Sequence, residues 1–448
     1  MNRLSRLISK FDSDAANRCL YSDGSWHSFD GLRSRLRHWE LRLQEAKFRP
    51  GAVVGLQADY SLDSVALLLA AWQQRLIVAL IPASVDPEGY LVDANAVGHF
   101  VARPGEAVSW LPRTAADDVH PLVEQLVVVG EAGIVIFTSG STGRAKAALH
   151  GLERFLAKFD RPGRALRTLA FLQFDHVAGM DTLLYTLSSG GGLVVARQRD
   201  PATICRLIET VRVEVLSTSP SFLRLLWASG AAATSDLSSV GIVTYGSEPM
   251  DAATLRRAGE MFPNARLSQK YGTTETGAPR TVSRGNDSLW IRIEGEGVRA
   301  EVRDGLLWIR AEGAFLGYLN APSPLDADGW YCTGDLVEQD GPWIRVLGRS
   351  AELINVGGEK VTPGEVEEVI LELEEISAVA VRGEPHPLMG QVVTARVMLA
   401  PGADSTDIEA RVRRHCRNRL ARHKVPVVVD LTTEALTNDR QKVLRRRS

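Results

Sequence analysis

A chain of 448 residues is too long for one ordinary hydrophobic core, so two or three domains are expected. Apolar residues make up 45% and charged residues 24%, the balance of a soluble globular protein. With 52 basic against 54 acidic residues the net charge is −2, which points to no nucleic-acid partner. The cysteines Cys19, Cys205, Cys332 and Cys416 lie far apart without metal-ligand spacing and read as free thiols in a reducing compartment. The N-terminus lacks the apolar core of a signal peptide, and no apolar run is long enough for a membrane span. The expected location is cytoplasmic.

In chain order, Phe29, Leu32, Leu36, Trp39 and Leu43 recur at helical spacing and predict an amphipathic helix over 28–47. Residues 52–56 read as a strand, 62–74 as a helix capped by Ser61, and 76–81 as a second strand ended by Pro82. Strand–helix–strand alternation implies a parallel sheet with helices on its faces. It recurs as strand 169–173, helix 181–188, strand 192–196, helix 202–211, strand 213–217 and strand 242–244. After Arg280 alternating segments such as 306–310 suggest an antiparallel β region. Beyond 348 a helix over 363–374, strands 377–382 and 392–399, and a basic helix over 406–420 read as a separate small α+β domain. The fold class is therefore α/β. A large domain, 1–348, has parallel-rich sheets, helices and a β region. A small mobile α+β domain, 349–448, follows it.

One stretch has an evident chemical character. Ile134, Val135, Ile136 and Phe137 suit a strand covered on both faces. They run into Thr138, Ser139, Gly140, Ser141, Thr142 and Gly143, then Arg144 and Lys146. Glycines let backbone N–H groups converge on an anion. By composition alone this is a phosphate cradle or a flexible surface turn. The spacing does not fit the GxxxxGK[ST] phosphate loop, because the second glycine comes too early and Ala147 follows the lysine.

The same run resembles the TSGSTGxxK signature of adenylate-forming enzymes, which include acyl- and aryl-CoA synthetases. Tyr271, Gly272, Thr273, Thr274 and Glu275 resemble that family's YGxTE motif, and Tyr331 through Asp335 its Y-x-TGD motif. Gly348 and Arg349, followed by Gly357 and Gly358, resemble its hinge-proximal block. Residues 437–443 resemble its C-terminal TxxGK motif, with Gln441 in place of the usual glycine.

This resemblance implies activation of a carboxylic acid by ATP to an acyl-adenylate, with release of pyrophosphate. Transfer to a thiol, coenzyme A, would follow. The alternative is a stand-alone adenylation enzyme that loads an amino, aryl or fatty acid onto the phosphopantetheine of a separate acyl carrier protein. The resemblance assigns the β- and γ-phosphates to Thr138, Ser139, Gly140, Ser141, Thr142, Gly143 and Lys146. It assigns Mg²⁺ to Glu275, the α-phosphate to Thr274, the ribose to Asp335 and the same ribose or a phosphate to Arg349, and it counts Tyr271, Gly272 and Thr273 among the nucleotide-binding residues. Adenine falls to Gly246, Ser247, Glu248 and Pro249, and the pantetheine passage to Gly357 and Gly358. Lys442 would bridge carboxylate and phosphate oxygens in the catalytic step. The usual hinge position holds Ala351. Asp175, His176 and Gly179 fall where the family places the wall of its acid pocket. Asp175 and His176 also read as caps of the helix near Asp181. No membrane partner is expected, and a homodimer is compatible with the chain.

Overall fold

The computed structural model describes residues 1–434 and 436, apart from 15, 104, 116–117 and 139–143. Its centre is a helix, Leu62–Gln73, in which Ser61 and Ser64 form a reciprocal capping box. Every side chain from Ser64 to Trp72 is buried. A helix that is apolar all round must be covered all round, and two seven-stranded sheets cover this one. One core takes Leu67, Leu68 and Leu69 from the helix, Val54, Leu80 and Ile134 from one sheet, and Leu20, Ala170 and Leu193 from the other.

The first sheet runs Arg266–Lys270, Ile242–Gly246, Val215–Thr218, Arg167–Ala170, Gly192–Val195, Arg18–Ser22, Ser25–Ser28. All its pairings are parallel except the final hairpin. Its outer face carries the helices Pro201–Val211, Pro220–Ala228 and Ala252–Met261. In the second sheet Gly133–Thr138 pairs in parallel with Ile77–Ile81, and that strand with Val53–Ala58. Leu91, Val123 and Leu126 from two short helices close its far face. The result is five layers, helices alternating with sheets. The expected parallel α/β character is thus observed, with two sheets.

The helix Phe29–Ala46 buries the five residues whose spacing predicted it. An opening helix, Arg3–Ser13, had no counterpart in the sequence reading. The Asn2 side chain caps it, and Leu4, Leu7 and Phe11 are buried along one face. A six-stranded antiparallel sheet follows, from Arg280–Ser283 to Trp343–Arg349. From Ile354 onward the chain forms a five-stranded sheet with the helices Pro363–Ile370 and Ile408–Arg419. Its core, built on Val366, Ile370, Val381, Val397 and Val412, draws only on residues after 353. Among the described residues no helix is long and apolar enough to cross a membrane, and all four cysteines are unbridged.

The strand after the glycine-rich stretch, Lys146–Gly151, buries His150 between Phe155 and Phe315, with ring centroids 5.3 and 6.2 Å away. Burial pushes the imidazole pKa down from 6.5 to about 3. The Thr274 backbone opposes the shift and Lys158 adds to it. The folded state therefore holds a neutral ring, while the unfolded chain takes up a proton below its pKa of 6.5. This contribution is absent above that pH and destabilises progressively as pH falls towards 3. The linkage amounts to about 2 kcal/mol lost between about pH 7 and pH 5. Urea denaturation of the wild type should show this slope, and His150→Leu should flatten it. An equal slope in both proteins would exclude His150 as its source.

Candidate active site at the carboxyl ends of the strands

Ser139, Gly140, Ser141, Thr142 and Gly143 lie outside the described residues, as does Lys442. The flanks of the glycine-rich stretch are well placed. Thr138 pairs in register with Lys146, so the chain leaves and returns side by side. Asn320 fastens the return: its Oδ1 accepts the Ala147 N–H at 2.9 Å and its Nδ2 donates to the Ala145 carbonyl at 2.9 Å. Arg144 is tied to the buried carboxylate of Asp93, which raises its pKa and pairs with its charge. Lys146 places its Nζ 5.1 Å from the centroid of the Tyr318 ring.

The Tyr318 hydroxyl donates to Glu275 Oε1. Burial, then the Glu275 charge, push the pKa of both Tyr318 and Tyr331 well above the usual phenol range. Both phenols therefore stay protonated, and that of Tyr318 serves as a donor to the carboxylate. Glu275 is buried, as are Thr273 and Thr274. Its carbonyl accepts the Phe315 N–H at 2.8 Å, and Thr273 Oγ1 accepts the Thr276 N–H at 3.2 Å. Gly272 is required here. A Cβ would lie 2.5 Å from the Gly277 carbonyl oxygen and 2.8 Å from Ala278 Cα.

Asp335 lies opposite Arg349 in the antiparallel pair of Tyr331–Asp340 and Trp343–Arg349. Arg349 Nε is 2.8 Å from Asp335 Oδ1, and another guanidinium nitrogen donates to the Thr333 carbonyl at 2.7 Å. The Tyr271 hydroxyl donates to Asp335 Oδ2. Desolvation opposes the Arg349 charge, but Asp335, Tyr271, Tyr331 and Glu275 outweigh it and raise its pKa. Lys146, Tyr318, Glu275, Tyr331, Arg349, Asp335 and Tyr271 thus form one continuous polar cluster.

Ile242–Gly246 delivers the next loop beside it. A Cβ on Gly246 would lie 2.4 Å from the Lys270 carbonyl oxygen, and Ser247 takes a positive φ of 69°. Glu248 accepts the Ser221 N–H at the start of the helix Pro220–Ala228, and Arg224 lies 3.9 Å away. That carboxylate thus anchors the loop to a helix N-terminus. Pro249 follows, partly buried.

The helix Val177–Ser188 begins four residues before Asp181, where the sequence reading put its start. His176 is its N-cap, and His176 Nδ1 accepts the Ala178 N–H at 3.3 Å. Asp175 is buried. Gly179 has a packing reason: a Cβ would lie 1.9 Å from the Gln173 carbonyl oxygen and 2.7 Å from the Tyr60 hydroxyl. Gly357 and Gly358 stand apart from the cluster. They form the exposed hairpin turn between Ile354–Val356 and Glu359–Val361, with φ of 61° and 95°. Ala351 lies in the short turn Ser350–Glu352.

The sequence reading missed the contributions of Tyr318, Asn320 and Asp93. Tyr318 sits on a two-residue strand, too short for periodicity, and meets Glu275 only through tertiary structure. Among the described residues no three metal-ligating side chains come together. A single buried carboxylate still suits Mg²⁺, which takes one or two protein carboxylates and fills its remaining positions with water and phosphate oxygens.

Ligands of open α/β sheets bind beyond the carboxyl ends of the strands. The loops bearing Thr138, Asp175, Ser247 and Glu275 all emerge there, which defines a ligand-binding α/β protein with a buried polar site. The chain belongs to the AMP-binding enzyme family: that family matches residues 110–319, and the AMP-binding enzyme C-terminal domain matches residues 365–441. The chain is 29% identical to 4-coumarate–CoA ligase-like 6 of Oryza sativa subsp. japonica over 384 residues, 75% of this chain and 60% of the rice protein. It therefore spans less than two thirds of that relative. It is 30% identical to a dioxo-octahydroindenyl-propanoyl:CoA ligase of Mycobacterium tuberculosis over 417 residues, 87% of this chain and 82% of the relative. The fold matches the anthranilate CoA ligase AuaEII, solved with anthranoyl-AMP, at a TM-score of 0.82 and 19% identity, covering 99% of this chain and 95% of that one.

Proposed function

We propose that the protein activates a carboxylic acid with ATP as an acyl-adenylate, releases pyrophosphate, and passes the acyl group to the thiol of coenzyme A. The observation that carries this reading is the continuous cluster from Lys146 through Glu275 to Asp335, which offers cation, carboxylates and phenol donors side by side. Charge that develops on phosphoryl oxygens is best stabilised by groups already oriented. In this reading loop 138–146 takes the β- and γ-phosphates, Thr274 donates to the α-phosphate, and Glu275 holds Mg²⁺. The ion supplies charge neutralisation beside the phosphates. Asp335, a carboxylate already oriented by Arg349 and Tyr271, is an acceptor suited to the ribose hydroxyls. The loop of Gly246, Ser247, Glu248 and Pro249 faces adenine.

Lys442 belongs to the proposal as the group that bridges carboxylate and phosphate oxygens. A flexible ammonium fits that role. The small domain, 349–448, would carry it and turn about Ala351 between half-reactions. Gly357 and Gly358 would then line the pantetheine passage. The relatives named as CoA ligases support coenzyme A over a carrier protein. A reducing cytoplasm fits the unbridged cysteines.

Exchange of radiolabelled pyrophosphate into ATP, run over fatty, aromatic and amino acids, tests this. Acid-dependent exchange with AMP as product is expected. ADP as product, or no exchange with any acid, would overturn the reading. Coenzyme A and a carrier protein bearing a free phosphopantetheine thiol, added separately, decide the acceptor.

A further inference from the structure

Lys270 ends the strand Arg266–Lys270, one residue before Tyr271. Successive residues of an extended chain point to opposite sides. Tyr271 reaches Asp335 on the nucleotide side. Lys270 faces the other way, where its charge feels Asp181 and Lys158. Asp181 lies on the helix that His176 caps, so this is the side on which the acid is expected.

The charges around Lys270 do not balance. Asp181 is already paired with Lys158, whose Nζ also donates to the Ala278 carbonyl at 3.2 Å. Arg266 and Arg280 add two further cations nearby. Among the described residues Lys270 has no carboxylate within ion-pair distance. Its side chain is exposed at the carboxyl end of its strand, and the atoms packed around it desolvate it in part. That desolvation lowers its pKa below the usual lysine range. Asp181 opposes the shift, while Lys158, Arg266 and Arg280 add to it. Gly246, its partner across the sheet, presents no side chain to cover it. An unpaired cation among other cations lacks one counter-charge. An anion on a bound substrate would supply it.

Resting on the adenylating function above, we infer that Lys270 is a specificity residue that pairs with a second carboxylate on the acid, so that the preferred substrate class is a dicarboxylic acid. One carboxylate goes to the α-phosphate and the other remains on the acyl group against Lys270. A methyl-terminated acid of equal length would leave the cation unpaired, the situation in which polar sites discriminate most strongly.

The test measures pyrophosphate exchange with matched pairs of straight-chain and aromatic acids, each dicarboxylic acid beside its monomethyl ester. The ratio of kcat/KM within a pair is the readout. Wild type should favour the free diacid, and Lys270→Gln should lower that ratio by about 10- to 100-fold, the range for losing a charge-assisted contact. Lys270→Arg, which keeps the cation, should retain most of the preference. The side chain lies outside the hydrophobic cores, and a thermal melt of each variant checks folding. If both acids of a pair are activated and Lys270→Gln leaves their ratio unchanged, the inference fails and the adenylating function stands. If no acid supports exchange, both fail.

Discussion

Glu275→Gln should lower acid-dependent pyrophosphate exchange by roughly a hundred- to a thousandfold while leaving the fold intact. Glutamine keeps the volume of the side chain and an amide oxygen that still accepts the Tyr318 hydroxyl. The substitution therefore removes charge and little else. That charge is buried, so no water shell stands ready to replace it. In the proposed reaction it holds Mg²⁺, and a neutral amide is a much weaker ligand for a hard dication. The loss should appear in kcat, with a higher Mg²⁺ concentration needed for half-maximal rate. An unaltered exchange rate and Mg²⁺ response would remove Glu275 from the metal site. A collapsed thermal melt would mean that the Tyr318 contact, rather than the chemistry, had been broken.

Asp335→Asn is expected to raise KM for ATP and lower kcat/KM by roughly a hundredfold, and also to destabilise the fold measurably. The side chain is buried, receiving Arg349 on one oxygen and Tyr271 on the other. Asparagine offers one acceptor where the carboxylate offered two, and it leaves Arg349 with no counter-ion in strand register. Breaking a fully buried pair costs about 3–5 kcal/mol. Half of the Arg349 side chain reaches solvent, so a loss of about 1–2 kcal/mol is the reasonable expectation. Denaturant titration gives the stability change, and exchange kinetics at varied ATP gives the functional one. Arg349→Ala should share the stability loss, because the two act as a pair. A stability loss with ATP kinetics unchanged would make Asp335 a purely structural residue.

Much of the scaffold was legible because burial on both faces writes itself as continuous apolar sequence. Residues 134–137, 52–56 and 76–81 read as strands for that reason, and Gly133–Thr138, Val53–Ala58 and Ile77–Ile81 are the strands observed. Boundaries were less legible. The helix Val177–Ser188 is indeed capped by His176, one of the two residues read as its caps, but begins four residues before the start expected at Asp181. The opening helix Arg3–Ser13 buries only three side chains. Lys146–Gly151 pairs back on Gly133–Thr138, a strand that the reading of the glycine-rich stretch did not anticipate.

The sequence by itself determined the residue types and their order: an apolar strand into a glycine-rich stretch, then Glu275, Asp335 and Arg349 in motifs of recognisable spacing. Only the tertiary structure decided which of these groups act on one another. Tyr318, 43 residues from Glu275, protonates no one and is named by no motif, yet it donates to that carboxylate. Arg144 adds positive charge to the glycine-rich stretch in the sequence, but Asp93, 51 residues earlier, pairs with it. Lys270 reads as an ordinary charge beside a motif, and becomes unusual only when Asp181 is found already paired with Lys158. Local pattern encodes elements because hydrogen-bonded backbone and side-chain periodicity are short-range. A site's electrostatics depends on distances between residues far apart in the chain, and only the packed fold sets those.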